Sequence, residues 1–222
     1  VEAPHEWRTA LESVLLEVRA GRRGAAQKAA REALAAHPAA GRLWAAQIRM
    51  SSVATSLDLL AEACLAVPRS GEVWTEAARV SLDPTSPLFD LGRARRSLSM
   101  AIRYTPQHGD AFVELLRLQL LEQGPRSPGV RAVERLCQAA DPNYGPLWLL
   151  CKRSPLLSAR QVLREAMGML LRTLHEQRAV YQAALTRCAA RASRRGASHS
   201  SALSALSDSD SDTEEEDQSA AT

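Results

Sequence analysis

HPAAGRLW (His37–Trp44) has the same outline as three later stretches: VPRSGEVW (67–74), TPQHGDAF (105–112) and DPNYGPLW (141–148). Each contains a proline, two variable residues, a glycine, two variable residues and a large aromatic residue. The aromatic residues recur at spacings of 30, 38 and 36 residues, and Trp7 lies 37 residues before the first. Recurrence at roughly 30–40 residues is typical of proteins built from structural repeats.

The residues before each proline predict a helix that packs closely on its neighbour. Small residues stand five and twelve positions before three of the prolines, and positions seven residues apart share one helix face. The proline ends this helix, the glycine helps the chain to turn, and the aromatic residue opens the next helix. The bulky ring would then fill the gap beside the small residues. The predicted repeat core comprises Trp7, Trp44, Trp74, Phe112, Trp148, Ala33, Ala63, Ala101, Pro38, Pro68, Pro106 and Pro142.

Alanine and leucine dominate the chain and only 4% of residues are aromatic, which favours helix over sheet. We expect an all-α solenoid of about four and a half helix–turn–helix repeats, right-handed as such solenoids are. The predicted helices span residues 4–19 and 23–36, 41–51 and 55–66, 71–81 and 89–104, 108–122 and 129–140, and a short 145–152.

The pattern changes after Lys152. Apolar residues three, four or seven positions apart predict one long amphipathic helix over residues 157–192 with a basic end. This helix would cap the open end of the stack, or its apolar stripe would dock on a partner. The predicted organisation is a repeat array (1–152), a capping segment (153–195) and a disordered Ser/Asp/Glu-rich tail (196–222).

Small residues, a proline and then an aromatic residue six positions on resemble the tetratricopeptide repeat (TPR) and the related half-a-TPR (HAT) repeat. SGEVWTEAA (70–78), the stretch 94–120 and VERLCQAADPNYGPLWLLCK (133–152) resemble the C-terminal HAT array of the tri-snRNP pre-mRNA splicing-factor family. This resemblance implies a protein scaffold in a nuclear ribonucleoprotein, and hence an intracellular, nuclear rather than cytoplasmic, location.

Charge is divided unevenly along the chain. Residues 207–222 hold seven acids and no lysine or arginine, whereas residues 1–206 hold 28 bases and 18 acids. Three arginine groups (22–23, 93–96 and 187–195) suggest an RNA or acidic protein partner, or contact with the acidic tail of the chain itself. A merely solvated surface is the alternative. In the tail, acids three positions further on make Ser207, Ser209, Ser211 and Thr213 candidate phosphorylation sites for an acidophilic kinase.

No catalytic, cofactor or metal motif is present. His175-Glu176 begins like a zinc-protease helix, but Ala179 replaces the second histidine. The four cysteines lack paired spacing and no apolar run reaches bilayer length, so we expect no disulfide framework and no membrane segment. The sequence therefore predicts neither an enzyme nor a binder of a small-molecule substrate.

The predicted function is scaffolding, with protein subunits or peptides held in a concave groove lined by the first helix of each repeat. RNA contact is then indirect. Direct RNA binding by the arginine-rich body, or a cytoplasmic adaptor of the co-chaperone type, remain alternatives. The predicted exposed groove residues are Arg42, Gln47, Arg49, Glu72, Glu76, Arg79, Glu114 and Arg117.

Overall fold

The computed structural model describes the backbone of residues 6–207 and the side chains of residues 6–194. Regular structure in this part is entirely helical, which confirms the all-α fold. Most helix ends agree with the predicted ends to within two residues. The helices are α1 (Glu6–Arg19), α2 (Arg23–Ala36), α3 (Gly41–Met50), α4 (Val53–Ala66), α5 (Gly71–Leu82), α6 (Leu91–Tyr104), α7 (Gly109–Gln123), α8 (Pro128–Ala140), α9 (Pro146–Cys151), α10 (Ala159–Glu176) and α11 (Arg178–Ser207).

Two layers form the repeat array. The first helices pack in series, α1 on α3, α3 on α5, α5 on α7 and α7 on α9. The second helices α2, α4 and α6 each pack on the first helices on both sides, whereas α8 packs on α7 and α10, and no two of these four second helices pack on one another. The first helices therefore form the continuous inner layer, and gaps remain between the second helices.

The glycine of the repeated motif allows a close approach between repeats. A Cβ atom on Gly71 would lie 2.5 Å from the carbonyl oxygen of Ala101, and one on Gly109 would lie 2.3 Å from Cγ of Trp148. We expected the glycine to help the chain turn, but among the four motif glycines only Gly145 has a positive φ, 131°. The motif needs glycine mainly because the next repeat leaves no room for a side chain.

The motif tryptophan stabilises the turn before its helix by a hydrogen bond, in addition to filling space between helices. The indole Nε1–H of Trp44 donates to the carbonyl of Pro38 at 2.8 Å, and that of Trp74 donates to Pro68 at 2.9 Å. This hydrogen bond closes the six-residue interval between proline and tryptophan. Trp148 differs, because its buried Nε1–H finds no partner in the described part of the chain.

The predicted core residues divide into two groups. Trp44, Phe112 and Trp148 are buried, as are Ala33, Ala63 and Ala101, while Trp7 and Trp74 are half-buried. Three of the four prolines are not core residues: Pro38, Pro68 and Pro106 are exposed and only Pro142 is buried. Their rings lie at the surface because each proline follows the end of a helix, in the turn.

The segment after Lys152 is two helices rather than the one predicted over 157–192. α10 ends at Glu176, and the N–H of Gln177 donates to the carbonyls of Thr173 and His175. Neither proline nor glycine marks this break, so the sequence carried no signal for it. α10 buries Val162, Leu163 and Ala166 in the cluster that contains Phe112 and Trp148, and it packs on α7, α8 and α9.

The chain divides into two compact units after Arg178. Within the second unit α11 continues to Ser207, so the segment 196–207, expected to be disordered, has a helical backbone. The side chain of Ser207 and the other three candidate phosphorylation sites lie outside the described residues.

Candidate functional site

A chain of ion pairs crosses the inner layer from α3 to α7. Arg49 pairs with Glu76 (2.5 Å) in the next repeat, and Arg79 contacts Glu76 on its own helix. Arg79 also reaches Asp110 (2.6 Å) and Glu114 (2.8 Å) on α7, and Glu114 contacts Arg117 (3.2 Å). Three arginines and three carboxylates thus alternate across three helices, so their charges balance.

This network corrects the predicted exposure of the groove residues. Glu76, Glu114 and Gln47 are buried, and Arg79 and Arg117 keep only 15% and 19% of their side chains exposed. Glu72 is half-buried, and only Arg42 and Arg49 are exposed as expected. The carboxylates are buried because partners 27 to 38 residues away neutralise and hydrogen-bond them.

The surroundings hold the buried carboxylates in the charged form. Burial would raise the pKa of Asp110, but Arg79, His108 and the N–H of Trp148 (2.9 Å) together lower it. Burial likewise opposes ionisation of Glu114, and Arg117 and Arg79 outweigh it, so the pKa of Glu114 is also lowered. The carboxylates of the network therefore stay charged, and their ion pairs hold α3, α5 and α7 together.

A second polar contact joins α5 to the loop before α9. The Tyr144 hydroxyl donates to Glu72 at 2.6 Å, and its ring lies 5.2 Å from that of His108. Both His108 nitrogens are buried without a partner within the described chain, and burial above all lowers the pKa of this imidazole. The guanidinium of Arg42 lies 4.9 Å from the Tyr144 ring centroid and 6.0 Å from that of Trp7. Sequence reasoning missed Tyr144 and His108, because only the fold brings them to Glu72.

An open groove lies on the inner layer, with a volume of about 680 Å³. One wall is α1, through Leu11, Leu15 and Val18, and the opposite wall is the segment 144–149. The helices α1 and α9 do not pack on each other. Val18 and Leu149 remain 44% and 57% exposed, so apolar surface faces the groove from both sides. We call this feature the inner groove.

The polar lining of the inner groove is mostly cationic. Four arginines and two glutamates line it: Arg19, Arg23, Arg42, Arg49, Glu12 and Glu72. The guanidinium of Arg23 donates two hydrogen bonds to the carbonyl of Met50 (3.0 and 2.7 Å), which fix its position. The guanidinium of Arg49 is fixed by its hydrogen bonds to Glu76. The inner groove therefore offers apolar walls with arginines held at defined positions.

The three arginine groups do not form one track on the repeat array. Arg22 pairs with Glu17, and Arg23 lies in the inner groove, whereas Arg93, Arg95 and Arg96 line a cleft between α4 and α6. The third group lies on α11, in the second unit, where Arg187, Arg191 and Arg194 share a helix face.

Other kinds of site find little support in the described residues. No cluster of His, Cys, Asp and Glu there could hold a metal ion. The four cysteines are free, and burial raises the pKa of the Cys137 thiol to about 12, which makes it a poor nucleophile.

Helices that could cross a lipid bilayer are absent from the described part of the chain.

Comparison with known proteins agrees with the repeat architecture. A family model described as "PRP6, TPR-like domain" matches residues 1–167. A TPR-containing protein of Dictyostelium discoideum is 49% identical over 174 residues, which is 77% of this chain and 13% of that protein. The chain thus spans about an eighth of the length of this relative. The match to the family model covers the whole repeat array and the first half of α10, and the chain belongs to the PRP6 TPR-like domain family.

Proposed function

We propose that this chain is a non-enzymatic scaffold module that holds a segment of a neighbouring protein subunit in the inner groove. The observation that carries the proposal is the groove itself, with exposed apolar side chains on both walls and positioned arginines between them. Such a surface fits a helical or extended segment with apolar anchors and some acidic residues. The ion-pair network, of which Arg49 lines the groove, joins α3, α5 and α7, and so favours a site that is formed before the partner binds.

Membership of the PRP6 family supports a more specific setting. We propose that the assembly is a nuclear ribonucleoprotein engaged in RNA processing, in which this chain contacts protein and meets RNA only indirectly. The scatter of the arginine groups supports this choice over direct RNA binding by the repeat array, because phosphate contacts need basic residues along one surface.

Affinity purification from cells, read by mass spectrometry, tests the proposal. The bait is compared with a groove variant, Val18→Asp with Leu149→Asp, and with an outer-surface control, Leu65→Asp, since Leu65 is 86% exposed on α4. We expect protein partners that survive nuclease treatment, depend on the groove residues and ignore Leu65. Partners that disappear after nuclease treatment would instead favour direct RNA binding.

A further inference from the structure

The outer layer is open between α4 and α6. Both helices pack on α5 but not on each other, and the space between them is a cleft of about 820 Å³. Trp74, Ala77 and Val80 of α5 line its floor. Trp74 is only half-buried, unlike Trp44 and Trp148, because no helix of the repeat array covers this cleft. We call this feature the outer cleft; it shares no lining residue with the inner groove.

The sides of the outer cleft are apolar. Leu57 and Leu60 line it from α4, and Leu88 and Met100 line it from the side of α6. Together with the floor, these side chains form an apolar surface on which the apolar stripe of an amphipathic helix can pack. A helix is the expected occupant, because α4, α5 and α6 line the cleft and helices pack on one another at axial distances of about 8–10 Å.

The charged residues that line the outer cleft indicate which kind of helix would bind there. Arg93, Arg95 and Arg96 lie along one edge, and no carboxylate of the described residues lines the outer cleft. Arg95 is paired with Glu122 on α7, but Arg93 and Arg96 pair with no carboxylate in this part of the chain. Two available guanidinium groups beside an apolar floor favour an acidic partner, since arginine binds carboxylates bidentately.

We propose that the outer cleft binds an acidic amphipathic helix of a partner protein. The apolar stripe of that helix covers Trp74 and Val80, and carboxylates on its flank pair with Arg93 and Arg96. This interaction is independent of the inner groove, so one chain can hold two partner segments on opposite layers of the array.

Binding of a defined peptide to the full chain tests the proposal. The probe is a fluorescein-labelled helical peptide of about 18 residues, with leucines at helical spacing and glutamates on the flanks. A second peptide keeps the leucines and replaces the glutamates with lysines. We expect the acidic peptide to bind at least about tenfold more tightly in fluorescence anisotropy, with affinity that falls as salt rises.

Substitutions in the outer cleft test whether the acidic peptide binds there. The pair Arg93→Glu and Arg96→Glu should weaken binding of the acidic peptide at least about tenfold. Arg103→Glu, an exposed site on α6 outside the cleft, should leave it unchanged. Binding should also shift the tryptophan emission to shorter wavelength, and Trp74→Phe should remove that shift. Circular dichroism checks the fold, and the milder pair Arg93→Gln and Arg96→Gln replaces the glutamate pair if that pair unfolds.

Three results would overturn the proposal. The first is equal affinity for the acidic and basic peptides, and the second is undiminished binding in the Arg93 and Arg96 variants. The third is a single-stranded oligouridine that binds more tightly than the acidic peptide and depends on the same two arginines, which would make the outer cleft an RNA site.

Discussion

Tyr144 donates its hydroxyl to the carboxylate of Glu72 across 2.6 Å, although 72 residues separate the two in the chain. The contact joins the start of α5 to the loop before α9, and thus links repeats that are not adjacent in sequence. Burial raises the pKa of Glu72, but the hydrogen bond from Tyr144 and further polar contacts outweigh it and lower the pKa overall. The carboxylate therefore accepts this bond in its charged form.

Tyr144→Phe removes the hydroxyl and keeps the ring. We expect the free energy of unfolding to fall by about 1–2 kcal/mol, because a partly buried carboxylate loses a donor. Urea denaturation followed by circular dichroism measures the change. The control is Tyr104→Phe, at a half-buried tyrosine at the end of α6, with an expected loss under about 0.5 kcal/mol. Equal losses in the two variants would contradict a special role for the Tyr144–Glu72 bond.

Arg79→Met tests the ion-pair network. The change leaves the carboxylates of Glu76, Asp110 and Glu114 without the arginine they share, and we expect a loss of about 3–5 kcal/mol in urea denaturation. Arg95→Met is the matched control, because its pair with Glu122 is half exposed, and it should cost under about 1 kcal/mol. A loss for Arg79→Met no larger than that of the control would show that the network does not stabilise the array.

We predict that the free energy of unfolding depends on pH through His108. Burial lowers the pKa of its imidazole, so near pH 6.5 the unfolded chain binds a proton that the folded chain does not. His108 therefore contributes stability above about pH 6.5 that is lost as the pH falls below it. We expect His108→Gln to flatten the decline in unfolding free energy between about pH 7 and 5. A decline as steep in the variant as in the parent would contradict this assignment.

Gly109→Ala tests the close approach of repeats. The new methyl group would meet the Trp148 ring, and we expect a loss of about 1–3 kcal/mol from overpacking. Gly24→Ala is the control, because no atom lies within 4 Å of a Cβ built on this α2 glycine. The control should be neutral or stabilising by up to about 1 kcal/mol, as expected for glycine replaced in a helix. Thermal unfolding distinguishes these opposite signs.

Much of the fold was predictable because the repeated motif is local. Proline, glycine and tryptophan mark where helices end, where repeats touch and where the next helix begins, so spacing alone located α1 to α9. The break at Gln177 was not predictable, because the apolar spacing continues through it without proline or glycine.

Burial of the charged residues was harder to predict, because it depends on partners one repeat away. One signal was present: Glu76-x-x-Arg79 and Glu114-x-x-Arg117 lie at the same position after Trp74 and Phe112. A charged pair that repeats in phase with the core indicates a structural role. The Tyr144–Glu72 contact has no such signal, because it joins residues at different positions of the repeat.

Site-specific photo-crosslinking tests the central claim most directly. Benzoylphenylalanine replaces Val18 in the inner groove or Leu65 on the outer surface of α4 in cells, and adducts are mapped by mass spectrometry. We predict a discrete protein adduct from position 18 that is unchanged by nuclease, and no such adduct from position 65. Adducts to nucleic acid at position 18, or the same protein adducts at both positions, would contradict the account.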